Sequence, residues 1–145
     1  MELLLEQIKS IIKKDIPLVS NLANISSILF KLDNINWAGF YLVEGDKLYL
    51  GPFQGDVACT VIEKNRGVCG YSFSHKEAII VPNVHEFRGH IACSSLSKSE
   101  IVVPVIKDGE VKLLIDIDSP IYDRFKEKEL NFLLEVSSLI SSLLQ

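Results

Sequence analysis

The sequence predicts an α+β domain in which helices pack on one face of an antiparallel β-sheet. Three observations support this fold class: two segments with helical periodicity open the chain, two hairpin signals follow with a loop-rich stretch between them, and a last helical segment closes it. We expect residues 1–145 to form one domain. A domain of this length buries about 68–70% of the surface of its unfolded chain.

The predicted helices are amphipathic. Residues 2–14 form the first, and Pro17 starts a second that runs to about Leu32, with Asp15 as its N-cap. Residues 126–144 form the last. Their inward faces are Leu4, Leu5, Ile8, Ile11 and Ile12, then Leu18, Leu22, Ile25 and Leu29, and finally Leu130, Leu133, Val136, Ile140 and Leu143.

The predicted sheet is built from two hairpins. Gly45-Asp46 and Asp108-Gly109 are short turn signals between runs of β-forming residues. The paired strands are 37–43 with 47–50, and 101–106 with 111–117.

The stretch between the hairpins carries two of the three cysteines. A rigid turn is expected at 51–55, and a short strand at 58–62 places Cys59 on one of its faces. Gly67-Val68-Cys69-Gly70 starts a short helix that continues over 71–75. A helix N-terminus lowers the pKa of a cysteine, so Cys69 is predicted to be unusually reactive.

Residues 81–104 follow neither helical nor strand periodicity, although the apolar runs 78–82 and 101–106 flank them. The segment contains Cys93, two histidines, one arginine and four serines. A long irregular segment in a small domain is usually functional. We predict a loop that covers a pocket, with Cys93 performing chemistry there.

Zinc binding is the competing interpretation of this loop. His85, His90 and Cys93 are ligand types that zinc accepts. Their spacing matches no recognised zinc pattern, and a zinc site would leave the other cysteines without a role. Histidines that hydrogen-bond to the loop backbone are favoured, and no metal is expected.

Three acidic residues occur in apolar strand context. Asp116 and Asp118 alternate with isoleucines and so point to one face of their strand, and hairpin pairing brings Glu100 close to the same face. Mutual repulsion should raise at least one pKa, which suits a bound ammonium group or a protonated acid donor. The plainer alternative is a solvated sheet face.

Trp37 and Tyr41 point to the same side of their strand. They are either ordinary core residues or an aromatic wall that holds a cationic ligand.

Composition excludes several classes of function. The net charge of −4 and the lack of a basic stripe argue against nucleic-acid binding. No apolar run approaches the ~18–20 residues of a membrane span, and the N-terminal residues do not resemble a secretory signal. Three cysteines without an export signal predict a reducing, cytoplasmic location and a transient catalytic disulfide, although free cysteine is also often a small core residue.

A thiolate, further cysteines and an acidic, partly aromatic pocket suit the reduction of an oxidised sulfur compound. The thiolate attacks the electrophilic sulfur, an acid protonates the departing oxygen, and a second cysteine condenses with the sulfenic acid. Methionine sulfoxide is the common biological substrate of this kind.

Six sequence blocks stand out between residues 37 and 120: WAGFYL (37–42), LGPFQG (50–55), GVCG (67–70), GHIAC (89–93), SEIVVP (99–104) and DIDSP (116–120). In their order and spacing these blocks resemble the free methionine-(R)-sulfoxide reductases, which are single-domain GAF proteins. The resemblance implies a GAF fold and the reduction of free, not peptide-bound, methionine-(R)-sulfoxide.

The resemblance also implies roles for individual residues. Cys93 would attack, and either Cys59 or Cys69 would resolve the sulfenic acid. The acidic block residues Glu100, Asp116 and Asp118 would bind the amino group and assist the sulfoxide oxygen, while Trp37 and Tyr41 would hold the methyl end. Thioredoxin is the expected reductant, with no metal or organic cofactor, and a homodimer is common in the family.

Four positions depart from the family pattern. Ser94 stands where aspartate is usual, Asn83 also replaces an aspartate, Arg88 replaces a proline, and Lys112-Leu113-Leu114 replaces a Gly-Val-Leu run. None removes a cysteine or a pocket acid.

The alternative function is a non-enzymatic GAF module that binds a small ligand and regulates a partner. The sequence argues against this alternative, because it shows no second domain or linker to receive a signal.

Overall fold

The computed structural model describes residues 1–89 and 96–145. Among these residues, no helix combines the length and the apolar character that crossing a membrane requires. A short 3-10 helix lies at Val84–Glu86. The other elements, in chain order, are α1 (Glu2–Ile11), α2 (Leu18–Leu29), β1 (Trp37–Glu44), β2 (Lys47–Gly55), β3 (Val61–Glu63), α3 (Gly67–His75), β4 (Ile79–Val81), β5 (Ser99–Lys107), β6 (Glu110–Ser119) and α4 (Glu127–Leu143).

The six strands form one antiparallel sheet in the order β3-β2-β1-β6-β5-β4. Both predicted hairpins are present, β1 with β2 and β5 with β6. The long strands β2, β1, β6 and β5 occupy the centre, because the second hairpin pairs with the first through β6 and β1, and the short strands β3 and β4 form the two edges. The predicted α+β fold class is confirmed.

One face of the sheet holds the main hydrophobic core. Alternate residues of the central strands point to this face, where α1, α2 and α4 cover them. The strand residues of this core are Ala38 and Phe40 of β1, Ile101, Val103 and Val105 of β5, and Leu113, Ile115 and Ile117 of β6. The terminal helices therefore share one face, as the sequence predicted.

The opposite face is covered by α3, which packs against β5 and β6. It carries a second, smaller apolar cluster that includes Leu48, Val68, Phe73, Val102 and Leu114. The sequence did not place α3 on this face, because its nine residues show no apolar stripe that would mark a packing side. This arrangement leaves the second face free to form a pocket between α3 and the sheet.

Several predicted boundaries were wrong. The N-cap of α2 is Pro17 rather than Asp15, and the helix ends at Leu29. Proline has no N–H to lose at a helix start, and it keeps the preceding residue out of the helical region. By contrast, α3 begins at Gly67 and ends at His75, as the sequence predicted. The φ of Gly67, +64°, is a left-handed conformation that glycine adopts without strain.

The stretch 51–55 is not a turn but the second half of β2. It pairs with the start of β1 because the register shifts between Gly39 and Tyr41, which lets the two strands continue past an irregularity. The next strand, β3, begins at Val61 and pairs with the start of β2. Cys59 therefore precedes the strand on which the sequence had placed it.

Candidate active site

Three carboxyl groups meet on the α3 side of the sheet, and we call them the acid cluster. In the β5–β6 ladder, Glu100 lies directly opposite Asp118, and Val102 lies opposite Asp116. Because side chains alternate between faces, all three carboxyl groups point to the same side. The prediction that Glu100 would approach both aspartates is confirmed.

Burial raises the pKa of every member of the acid cluster. For Glu100 and Asp118 the pKa lies well above the ordinary value, first through loss of water and then through the charge of Asp116. Burial raises the pKa of Asp116 as well, but hydrogen bonds from Glu100 and Cys69 oppose the rise. The cluster therefore shares protons instead of carrying three negative charges, with Asp116 the most readily ionised member.

Cys69 is part of this buried network. Its thiol donates a hydrogen bond to Asp116 Oδ2, with an Sγ–Oδ2 distance of 3.3 Å, and the residue is only 4% exposed. Burial, and then the negative charge of Asp116, raise the pKa of the thiol well above its ordinary value. The prediction that the helix N-terminus lowers the pKa of Cys69 was wrong. Its position in the first turn of α3 is correct, but desolvation and the acidic neighbours outweigh the helix terminus.

An aromatic wall stands beside the acid cluster. Trp37 stacks with Tyr41 at a centroid distance of 6.0 Å and with Phe53 at 5.2 Å. The Tyr41 hydroxyl donates to the backbone oxygen of Cys59 at 2.8 Å, and Trp37 Nε1 donates to the backbone oxygen of Asp56 at 3.0 Å. Burial and the nearby acids raise the pKa of Tyr41, so its hydroxyl stays protonated.

Trp37, Tyr41, the acid cluster and Cys69 line one pocket with a cavity volume of about 40 Å³. Among the described residues, Asp116 Oδ1 and Asp118 Oδ1 are buried in it without a hydrogen-bond partner. A buried carboxylate oxygen without a partner is costly, and it accepts a hydrogen bond from any N–H or O–H group that enters. The pocket is therefore suited to a ligand with a donor group, above all an ammonium group.

The structure locates only part of the predicted cysteine and histidine set. Cys59 is disulfide-bonded and partly buried against the second apolar cluster, whereas Cys69 is a free thiol. The backbone N–H of His85 donates to the Asn83 side chain, and its ring meets Tyr122 edge-on at 6.4 Å. His90 and Cys93 lie outside the described residues, as does the adjoining part of the predicted loop.

Sequence reasoning missed two polar residues of the pocket. Ser97 hydrogen-bonds to the Asp118 carboxyl and accepts from Asn36 Nδ2 at 3.2 Å, which fixes the rim beside β5. Arg66, the N-cap of α3, also lines the pocket. Ser97 is one of four serines in a short stretch, and nothing in the sequence separates it from the others.

Known proteins are similar to this chain in sequence and in fold. Residues 25–145 match the family model of the GAF domain. A free methionine-R-sulfoxide reductase of Escherichia coli (strain K12) is 46% identical over 112 residues, which cover 77% of this chain and 68% of that protein.

Two solved structures are also similar. The reduced form of fRMsr of Staphylococcus aureus has a TM-score of 0.95 and 44% identity, covering 99% of this chain and 94% of that one. The free methionine-R-sulfoxide reductase of Neisseria meningitidis, solved in complex with its substrate, has a TM-score of 0.92 and 40% identity, covering 97% and 85%. The chain thus belongs to the GAF family and, within it, to the free methionine-R-sulfoxide reductases.

Proposed function

We propose that this protein reduces free methionine-R-sulfoxide to methionine with thiols as the electron source. The observation that carries the proposal is the buried acid cluster, with two unpartnered carboxylate oxygens, facing an aromatic wall in one pocket. The E. coli and N. meningitidis relatives, whose names state this activity, support it.

The acid cluster recognises the amino group of the substrate. An ammonium group has three N–H donors, and Asp116 Oδ1 and Asp118 Oδ1 are buried acceptors that need donors. A methionine residue inside a peptide has no ammonium group and leaves these oxygens unsatisfied, which is expensive in a buried site. This explains a preference for the free amino acid. Trp37 and Tyr41, which stack on each other, would form the apolar surface for the methyl end.

Cys93 is the attacking residue in this mechanism. Its thiolate attacks the sulfoxide sulfur, the S–O oxygen is transferred to the cysteine, and methionine leaves with the sulfur reduced. A proton from the acid cluster neutralises the developing charge on the oxygen. Glu100 is suited to this role, because its pKa lies well above the ordinary value and it hydrogen-bonds to both aspartates.

Cys59 is the resolving residue in this mechanism. Its thiol attacks the sulfenic acid of Cys93, water leaves, and a disulfide forms between the two sulfurs. Two observations support Cys59 over Cys69: Cys59 is disulfide-bonded, and Cys69 is a buried thiol with a raised pKa that is held by Asp116. Thioredoxin then reduces the disulfide, and the two thiols are restored.

The test is NADPH consumption with thioredoxin, thioredoxin reductase and free methionine-R-sulfoxide. We expect NADPH consumption by the native protein and by neither Cys93→Ser nor Cys59→Ser. Measured as methionine released, Cys59→Ser should give one equivalent per chain, because it forms the sulfenic acid but cannot resolve it, and Cys93→Ser should give none. Cys69→Ser keeps multiple turnover, because the hydroxyl still donates to Asp116.

Other outcomes would contradict specific parts of the proposal. Multiple turnover by Cys59→Ser together with its loss in Cys69→Ser would move the resolving role to Cys69. No turnover by the native protein, with all three thiols intact after incubation with substrate, would instead favour a GAF module that only binds a small ligand.

A further inference from the structure

We propose that Cys69, Glu100 and Asp116 form a binding site for a thiophilic divalent cation, such as Zn²⁺, at the floor of the pocket. One ligand atom from each residue lies within 4.8 Å of the others, and all three residues are buried. The site is distinct from the His85, His90 and Cys93 pattern in the sequence, and it uses a cysteine that the proposed reaction does not consume.

The donor atoms lie close to the separations that a zinc ion needs. Zinc binds sulfur at about 2.3 Å and carboxylate oxygen at about 2.0–2.2 Å, so ligands in a tetrahedral site are roughly 3.3–3.7 Å apart. Cys69 Sγ and Asp116 Oδ2 are already separated by 3.3 Å. The Glu100 ligand atom lies within 4.8 Å of the other two, so it must approach them by at most about 1.5 Å to reach these separations.

A second, independent observation points to a ligand at this place. Asp116 is 5% exposed, and its Oδ1 atom has no hydrogen-bond partner, although Oδ2 accepts from Cys69. The carboxylate therefore has a buried coordination position that the described residues do not use. The cavity of about 40 Å³ exceeds the roughly 10–15 Å³ that one water needs, so an ion and a coordinated water both fit.

The chemistry of the donor set selects the ion. A thiolate with carboxylates favours Zn²⁺ and its spectroscopic substitute Co²⁺ over Mg²⁺ and Ca²⁺, which prefer oxygen ligands alone. Three protein ligands and a water are the arrangement of an open zinc site. A dication also neutralises the negative charge that burial makes unfavourable here, by replacing the protons that the side chains share.

One consequence rests on the proposed function. The ion would occupy the position that we assign to the ammonium group of the substrate, because both use Asp116. Zn²⁺ would therefore inhibit the reductase by competing with methionine-R-sulfoxide, and it would protect Cys69 from modification while bound.

The test uses the full-length double variant Cys59→Ser/Cys93→Ser, in which Cys69 is the sole remaining thiol of the chain. We expect titration with Co²⁺ to produce a thiolate-to-cobalt charge-transfer band in the near ultraviolet with one ion per chain. Zn²⁺ should abolish the band and excess Mg²⁺ should not. No band, or a band that Mg²⁺ removes, would overturn the proposal.

Matched variants on the same background identify the ligands. Adding Cys69→Ser should remove the band, and adding Asp116→Asn should weaken Co²⁺ binding at least about tenfold, since even outer-shell partners have effects of this size. Glu100→Gln serves as a second ligand variant if Asp116→Asn does not fold, as judged by circular dichroism. Unchanged affinity in a folded ligand variant would overturn the site.

Inhibition is measured separately, so that the two proposals can fail separately. Zn²⁺ should raise the apparent KM of the native enzyme for methionine-R-sulfoxide without lowering kcat. Cobalt binding in the double variant without displacement by methionine-R-sulfoxide would uphold the metal site and contradict the placement of the substrate.

Discussion

Burial decides what the titratable side chains of the pocket do. The Tyr41 hydroxyl and the Cys69 thiol both lie beside the acid cluster, and burial raises the pKa of each. Both groups therefore act as hydrogen-bond donors rather than as anions. Cys69 donates to Asp116, and Tyr41 holds the backbone oxygen of Cys59. Neutral donors of this kind position charged or reacting groups without adding to the local repulsion.

Tyr41→Phe tests this positioning at a single atom. The variant removes the hydrogen bond to Cys59 and should lower the free energy of unfolding by about 0.5–1.5 kcal/mol. Because the Cys59 backbone is then less fixed, disulfide formation after one turnover should slow more than methionine release. Quenching with an alkylating agent at timed intervals measures both rates.

Tyr49→Phe is the matched control, since Tyr49 is 39% exposed on β2 and makes no hydrogen bond through its hydroxyl among the described residues. It should change neither stability nor either rate. Equal slowing of both steps in Tyr41→Phe would show that the hydroxyl acts on the attack itself rather than on Cys59.

At the residue scale the sequence predicted the acid cluster but not the state of Cys69. Alternation along one strand and pairing across one hairpin are local rules, and they bring the carboxyl groups of Glu100, Asp116 and Asp118 together. The pKa of Cys69 depends on which sheet face α3 covers, and that packing is not visible in the first turn of a helix. Ser97 was missed because nothing in the sequence distinguishes it from the three other serines of its stretch.

At the scale of elements, the pairing of β1 with β2 shapes the aromatic wall. A Cβ atom on Gly39 would lie 2.3 Å from Phe53 Cβ and 2.8 Å from Phe53 Cα, so only glycine permits this close approach. Phe53 in turn stacks on Trp37. The glycine therefore fixes the wall from the neighbouring strand.

Gly39→Ala should disturb both the sheet and the pocket. The clash should reduce the free energy of unfolding by about 1–3 kcal/mol, as overpacking does. It should also shift the emission of Trp37, the single tryptophan of the chain, because Phe53 must move. Urea unfolding followed by fluorescence measures both effects.

Gly45→Ala distinguishes the effect of the Gly39–Phe53 clash from that of a general loss of hairpin stability. Gly45 lies in the turn of the same hairpin, with a φ of +64° and nothing within 4 Å of an added Cβ. The variant should lose about 1–2 kcal/mol through backbone strain, yet leave the native Trp37 emission unchanged. A changed emission in Gly45→Ala would mean that any loss of pairing perturbs the wall.

The two hairpins were predicted correctly, because the two-residue turns Gly45-Asp46 and Asp108-Gly109 are local signals for a hairpin. The stretch 51–55 was mistaken for a turn, because its glycines and proline are typical of turns. Its strand conformation depends on a register shift between β1 and β2, which cannot be recognised from the residues of either strand alone.

At the scale of the whole molecule, the two faces of the sheet have opposite effects on stability. The face under α1, α2 and α4 is a closed apolar core, and the face under α3 carries buried acids whose charges are unfavourable. Between the unfolded-state pKa values of about 4 and the raised folded-state values, the folded protein binds more protons than the unfolded chain. Stability contributed by these groups is therefore present at low pH and lost as pH rises through that range.

Glu100→Gln should remove part of this pH dependence. The neutral amide can still donate to the aspartates, so at neutral pH the free energy of unfolding should rise by about 1–3 kcal/mol, while reductase activity falls. Urea denaturation between about pH 5 and pH 8 measures the slope. The exposed Glu135→Gln is the control, with no change expected. A steeper decline of stability with pH in Glu100→Gln would contradict the assigned role.

The fold class and the grouping of the terminal helices were predictable because amphipathic periodicity reports which elements share a core. The side on which α3 packs was not, since it depends on contacts between distant parts of the chain. Four expectations stay predictions: a single domain over residues 1–145, a cytoplasmic location, thioredoxin as the reductant, and a homodimer.

The position of the acids within the β5–β6 hairpin has a consequence for how the chain folds. The turn at Asp108-Gly109 closes one end, and the Glu100–Asp118 pair lies next to the last pair at the open end. A hairpin that zips from its turn passes through apolar pairs first and joins the acids last. The repulsion then arises after most of the ladder has formed, so we expect it to speed the opening of the native hairpin more than it delays its closing.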